Sequence, residues 1–231
     1  MHVNGKVFVI GLSKTGTTSL AKALDLIGFR CSHYPLGAMN YYDPHPVLTR
    51  SMNYLGYKLF NTPLGIRNYR LKSPCIDLYK FDKFDAFADT PIAYCYKELD
   101  RMYPKSKFIL TTRELESWLD SCKWHMSNPY RPGRPKWWDE KEMGAWTSMS
   151  TNMINRLNYD LYGSVVFNEP LFRKTYERHF NDVQEHFRGR EADLLVFDIS
   201  KQEGWGSLCA FLGKPVPPLP FPMKNVSARP K

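Results

Sequence analysis

The sequence predicts an α/β domain in which a mostly parallel sheet lies between layers of helices, and three observations predict it. Short apolar runs alternate with helical patterns along the chain, as expected of strands buried on both faces. The first run opens onto a glycine loop and then a helix, the usual first unit of such a domain. Lys14 in its glycine loop, Asp89 and Arg113 stand at the ends of three expected strands, where open sheets of this kind bind ligands.

Residues 6–10 are apolar and β-branched and read as the first strand, ended by Gly11. After Gly16, Leu20, Ala23, Leu24 and Ile27 recur at helical steps, and Gly28 closes that helix. The stretch 29–83 reads as irregular, interrupted by Pro35, Pro44, Pro46, Pro63 and Pro74. Residues 84–88 form a second inner strand ending at Asp89-Thr90-Pro91, and a helix with Ala93, Tyr96, Lys97 and Met102 follows, up to Pro104. Residues 108–112 run as a strand into Arg113, then a helix continues through Trp118 to about His125. Residues 127–145, with Pro129, Pro132, Pro135, Trp137 and Trp138, read as an exposed insertion. A helix over 172–187, a strand over 194–199 and a helix over 203–212 complete the chain before a proline-rich tail.

A chain of 231 residues, 43% hydrophobic and 15% aromatic, is expected to form a single domain over 1–231 with a sizeable core. It has no apolar run of about 18 residues and no charged-then-apolar leader, so a soluble cytoplasmic protein is expected. The five cysteines are odd in number and none is spaced as CxxC, which points to reduced thiols rather than a metal site or disulfide framework. In that setting the sequon Asn225-Val226-Ser227 carries no meaning. A net charge of +9 calls for an anionic partner. The basic residues are spread among acids, with no basic helix or tail, so a small phosphorylated ligand explains the charge as well as nucleic acid does. The acidic pairs Asp82/Asp85 and Asp139/Glu140 read as solvated loop charges.

Gly11-Leu12-Ser13-Lys14-Thr15-Gly16-Thr17-Thr18 has the spacing of a phosphate-binding loop. Its glycines let backbone wrap an anion, and the N–H groups opening the next helix point at it. It departs from the nucleoside-triphosphate form GxxxxGK[ST] in its cation: Thr17 follows the second glycine, and the lysine stands upstream at Lys14. This pattern places the hydroxyls of Thr15, Thr17 and Thr18 around one phosphate, with a lysine reaching over and no obligatory metal. The segment resembles the 5′-phosphosulfate loop of the sulfotransferases that use 3′-phosphoadenosine 5′-phosphosulfate (PAPS). The resemblance implies that the loop from Ser13 to Thr18 binds the donor, with Gly16, Thr17 and Thr18 on the 5′-phosphate and Lys14 on the phosphosulfate bridge.

Three further segments carry the same likeness. The strand ending in Thr111-Thr112-Arg113, with Ser121 eight residues on, resembles the family's 3′-phosphate motif, in which arginine supplies a bidentate fork and serine a hydroxyl. The plainer role for Arg113 is a surface pair with Glu114 or Glu116. Asp89-Thr90-Pro91, followed by Tyr96-Lys97-Glu98-Leu99 and Tyr103-Pro104, resembles a subgroup with Asp-x-Pro at the end of an inner strand. That likeness makes Asp89 the expected base; its plainer role is to cap the helix that follows. His33 is the rival base, and His33, Tyr34 and Trp137 are expected acceptor contacts. His125 lies beyond the Ser121 helix. At the last strand and helix, ending in Pro220-Phe221-Pro222, the likeness implies that Lys201 reaches a phosphate and Trp205 flanks the adenine, a core role for Trp205 being equally open.

The resemblance runs from Val7 to about Pro222. It implies a three-layer fold like that of the P-loop NTPases. Residues 127–166, with Trp137, Trp138, Trp146, Tyr159 and Tyr162, read from their composition as a helical, aromatic lid over the acceptor. The resemblance also implies PAPS as co-substrate, adenosine 3′,5′-bisphosphate as product, and no required metal. The expected partner is a small-molecule acceptor bearing a hydroxyl or amine, with no nucleic acid and no membrane; monomer and homodimer are both open. Two other classes compete. A P-loop kinase needs magnesium and a lysine after Gly16, where this chain has Thr17. A non-enzymatic anion- or nucleic-acid-binding protein would bind in a salt-dependent way with no preference for PAPS.

Overall fold

The computed structural model describes residues 5–35, 38–42, 44–60, 64–65, 70–127, 149–201 and 204–223. In chain order the elements are β1 (Val7–Val9), α1 (Thr17–Leu26), β2 (Cys31–His33), β3 (Met39–Tyr42), α2 (Pro46–Phe60), β4 (Arg70–Ile76) and β5 (Ala86–Ala88). They continue with α3 (Ile92–Met102), β6 (Lys107–Thr112), α4 (Leu115–Ser127), α5 (Met149–Tyr162), α6 (Glu169–His186), β7 (Leu194–Asp198) and α7 (Gly204–Leu212). They group into two compact units, one of Met1–Ala38, Asp77–Glu114 and Arg178–Lys231, the other of Met39–Ile76 and Leu115–Glu177.

The first unit holds a five-stranded sheet in the order β2-β5-β1-β6-β7, with every pairing parallel. Val7 stands opposite Ala86 on one side and Lys107 on the other, so the odd residues of β1 share a face with Ala86, Ala88 and Ile109. That face packs on α1 and α7 through Leu20, Leu24, Leu208 and Cys209. The other face carries Phe8 between Phe87 and Phe108, with ring centroids 5.8 and 5.4 Å away. Tyr103 at the end of α3 and Phe187 after α6 cover those rings. Phe8, Phe87, Phe108 and Phe187 are all essentially inaccessible to solvent. Burying each side chain contributes about 2–3 kcal/mol. Both faces are therefore apolar, which is why these strands read as uninterrupted rather than alternating runs.

Gly28 ends α1 as the sequence predicts. At φ +93° it lets its own N–H reach the Asp25 carbonyl while the Phe29 N–H reaches Leu24, the paired bonds of a Schellman turn. The chain direction reverses at β1: α1 leads to the edge strand β2, whereas α3 leads from β5 past β1 to β6. The carboxyl ends of β5, β1 and β6 therefore meet at the point where such sheets bind ligands.

The second unit contains the antiparallel pair β3 and β4, the helices α2, α4 and α5, and the first half of α6. Its core is aromatic: Tyr162 stacks on Phe172 at 4.3 Å, and Trp118, fully buried, lies 4.8 Å from Tyr176. Tyr41 donates a 2.6 Å hydrogen bond to Asp160, which also pairs with Arg156. The stretch 29–83, expected to be irregular, holds β2, β3, β4 and the fifteen-residue α2. Pro46 misled that reading because it stands at the first position of α2, where a missing N–H costs nothing. Elsewhere the expected elements are present, their ends shifted by a few residues. The core of the expected insertion, including Trp137 and Trp138, lies outside the described residues, while 149–162 forms α5. Among the described residues no helix is long and apolar enough to cross a membrane.

Candidate active site

The loop after β1 is built around two glycines. A Cβ on Gly11 would overlap the Thr111 hydroxyl and lie 2.5 Å from the Thr111 carbonyl oxygen in β6, so only hydrogen fits there. Gly16 has φ +98°, and a Cβ there would meet Ile199 at 2.6 Å. Between them Lys14 also adopts a left-handed backbone, φ 77°. Such alternation curls a loop around an anion. The helix α1 then begins with no side-chain cap on its N-cap residue and no acid in its first turn. That is the arrangement in which a ligand's negative charge caps the helix. Gly11→Ala is expected to cost about 3 kcal/mol through overpacking against β6, measured as a lowered denaturant midpoint.

Four non-glycine residues among those described have positive φ, and three of them stand here: Lys14 at 77°, Tyr34 at 61° and Asp89 at 71°. Left-handed backbone in such residues is costly and collects where function over-determines it. Tyr34 follows β2, and Asp89 follows β5.

Asp89 is the hub. Its Oδ1 accepts from the Ser13 hydroxyl and from the Thr90 N–H at 2.7 Å. Its Oδ2 accepts from the Thr17 hydroxyl at 3.0 Å and faces His33 Nε2 at 3.2 Å. Ser13 Oγ also lies 2.9 Å from the Thr90 hydroxyl. The carboxylate therefore clamps the loop after β1 to the end of β5. The capping role open in the sequence is not what it does: the N-cap position of α3 is Pro91, and no side chain bonds there. Burial alone would raise the Asp89 pKa, but the His33 bond and charge, then the Ser13 and Thr90 donors, hold it down at about 2.

A folded-state pKa below the ordinary 3.8 means that the stabilisation is complete above about pH 4 and is lost as pH falls toward 2. The shift corresponds to about 2 kcal/mol, of which about half is lost near pH 3. Wild type should lose about half of this increment between about pH 5 and pH 3 in denaturant titrations, and Asp89→Asn should not.

The threonine hydroxyls differ from their expected placement around a phosphate. Thr15, buried, donates to the Leu12 carbonyl at 2.6 Å and lies 2.6 Å from the Thr111 hydroxyl. Thr17, also buried, turns to Asp89. Their hydroxyls thus fix the loop from within, because a buried hydroxyl without a partner is costly. Thr18 is half-buried, its hydroxyl 3.3 Å from His33 Nε2. Lys14 is half-buried in the same loop.

Arg113, half-buried, directly follows β6. Glu116, one of its two expected surface partners, accepts from Arg173, which also holds Glu169. Ser121 lies buried on α4 in the second unit, and His125 sits in the last turn of the same helix. Lys201 is exposed, 3.7 Å from Asp198. Trp205 belongs to the core beneath α1 and β7; its indole N–H donates to the Leu219 carbonyl at 2.6 Å, and its ring lies 4.9 Å from Phe221. Trp137 lies outside the described residues.

Sequence reasoning missed His179. It lies buried on α6, and its Nε2 lies 2.7 Å from the Ile10 carbonyl, at the entry to the loop. Burial pushes its pKa below the ordinary value, so the ring stays neutral and donates this bond. A partner 169 residues away leaves no local signal.

The sequence matches a known family. The family model described as "Sulfotransferase domain" matches residues 6–229, and the chain belongs to that family. It is also similar to "Ava biosynthesis cluster protein M" of Aspergillus versicolor, at 29% identity over 223 residues, 94% of this chain and 79% of that protein.

Proposed function

We propose that this protein transfers a sulfuryl group from PAPS to a hydroxyl or amine of a small acceptor by in-line displacement. The observation that carries the reading is the loop between Gly11 and Thr18, with its lysine upstream of the second glycine, its left-handed turns and the uncapped helix behind it. A loop of this form wraps one phosphate and presents one cation to the group attached to it. The 5′-phosphate seats on the Gly16–Thr18 backbone, with Ser13 and Thr15 shaping the loop. Lys14 lies over the bridging oxygen, where charge develops as the bond to sulfur breaks. Arg113 and, by likeness to the family motif, Ser121 answer for the 3′-phosphate; Lys201 and Trp205 answer for the nucleotide end. Lys201 is exposed enough to swing to a phosphate, whereas Trp205 would act through its packed edge.

The Asp89–His33 pair at the ends of β5 and β2 is the proton-accepting unit, and His33 and Tyr34 are the acceptor contacts in this reading. A relative whose name places it in a biosynthesis cluster fits a small-molecule acceptor. The enzyme acts in solution without a metal, in the cytoplasm. Incubating the protein with PAPS and a panel of phenols, alcohols and amines tests this directly. Formation of a sulfated product together with adenosine 3′,5′-bisphosphate is expected; consumption of ATP with magnesium in its place would support a kinase.

A further inference from the structure

Helix α2 carries its apolar side chains on the outside. Val47, Leu48, Tyr54, Leu55 and Leu59 each keep at least half of their surface exposed. At about 3.6 residues per turn they fall within one arc of about 140°, and exposed Ser51 and Lys58 lie inside that arc. The opposite side packs inward through Thr49, Asn53 and Gly56, all buried. Contacts with Gly65 fix this rotation. The Gly65 N–H donates to Asn53 Oδ1 at 2.7 Å, and a Cβ on Gly65 would lie 2.3 Å from the Thr49 carbonyl oxygen. The helix therefore cannot roll to bury its apolar arc, and a contiguous exposed patch of this kind marks a contact surface.

Charge identifies the occupant. Residues 44–76 contain Arg50, Lys58, Arg67, Arg70 and Lys72 and no acid, although the whole chain holds 23 Asp and Glu among 231 residues. A second copy is a poor fit. Two α2 faces packed together would trap both Lys58 ammonium groups in an apolar contact, with no acid from either segment to pair them. A bilayer with anionic headgroups meets both properties of the helix. Leucine, valine and tyrosine side chains enter the boundary between headgroups and acyl chains, while Lys58 extends along its own apolar stem to a phosphate. A helix face is also convex, and a bilayer receives it without the groove that a helical peptide partner needs.

We propose that α2 is a docking face for anionic lipid bilayers, lying flat in the headgroup layer with Val47, Leu48, Tyr54, Leu55 and Leu59 toward the acyl chains. The contact is reversible and salt-sensitive, since one helix of fifteen residues and a few cations carry it. It departs from the expectation of no membrane partner, which rested on the lack of a spanning run; a helix lying in the interface needs no such run. It does not depend on the sulfuryl-transfer reading.

The test is flotation of the full chain with vesicles of phosphatidylcholine alone and of phosphatidylcholine with about 30% phosphatidylserine, at about 0.1 and 0.5 M salt. Affinity for the phosphatidylserine vesicles should be about tenfold or more above that for phosphatidylcholine, and should fall about fivefold or more at the higher salt. Leu55→Asn combined with Leu59→Asn keeps the net charge and should weaken binding about tenfold, with an unchanged circular dichroism spectrum. Val47→Asn combined with Leu48→Asn, at the other end of the arc, should do the same. Equal binding to the two vesicles, or two double variants that bind like wild type, overturns the proposal; the latter is mere adsorption of a cationic chain. Absent vesicle binding overturns it too. A dimer in sedimentation that Leu55→Asn with Leu59→Asn dissociates would then give the face to a second copy, and capture of an acidic leucine–glutamate helical peptide would give it to a protein.

Discussion

Replacing Lys14 by alanine should slow sulfuryl transfer by about 10²–10³ while leaving the affinity for adenosine 3′,5′-bisphosphate within a few-fold of wild type. The reason lies in when the charge appears. In the ground state the bridging oxygen between phosphate and sulfur carries little charge, and the bisphosphate product lacks the bridge. Negative charge gathers on that oxygen only as the bond to sulfur breaks. A cation held over it therefore acts on kcat rather than on binding. In the proposed reading Lys14 would reach that place from a left-handed backbone at φ 77°, between Gly11 and Gly16. Lys14→Arg should recover part of the rate, since the charge returns with a different reach. A parallel loss of bisphosphate binding in Lys14→Ala would show instead that the lysine holds the ground-state phosphate.

Arg113→Ala should have the complementary effect, weakening binding of adenosine 3′,5′-bisphosphate about 100-fold and leaving that of adenosine 5′-monophosphate nearly unchanged. A guanidinium forked onto a phosphate contributes about 3 kcal/mol, which is about two decades of affinity. The monophosphate lacks the 3′ group, so comparing the two ligands isolates that contact. Arg113→Lys should lose about tenfold, because the charge survives and the fork does not. Arg113 stands directly after β6, whose parallel pairing with β7 runs up to Thr112, the residue before it.

What was legible in the sequence follows from what is local. Strands β1, β5 and β6 are short runs buried on two faces, and apolar composition alone marks them. Gly28 gave away the end of α1 because the Schellman turn needs its positive φ. The motifs at Lys14, Asp89 and Arg113 each follow one of these strands, so a correct reading of three strands brought the candidate site into one unit. The losses are equally physical. Helix α2 buries Thr49 and Asn53 and exposes Val47, Leu48, Leu55 and Leu59, so its polarity runs against the usual pattern. The inward turn of the Thr15 and Thr17 hydroxyls depends on Thr111 and Asp89, more than seventy residues away. The four-fold saturation of Asp89 is a property of the fold, and no motif announces it.

In the proposed function the loop and Arg113 together recognise a 3′-phosphorylated adenosine nucleotide. The most direct measurement is calorimetric titration of the unliganded protein with adenosine 3′,5′-bisphosphate, run beside ATP with magnesium. Tight binding of the bisphosphate, unmatched by ATP and lost in Arg113→Ala, is the expected result. Preference for ATP with magnesium, or binding of the bisphosphate that Arg113→Ala leaves intact, would contradict the account.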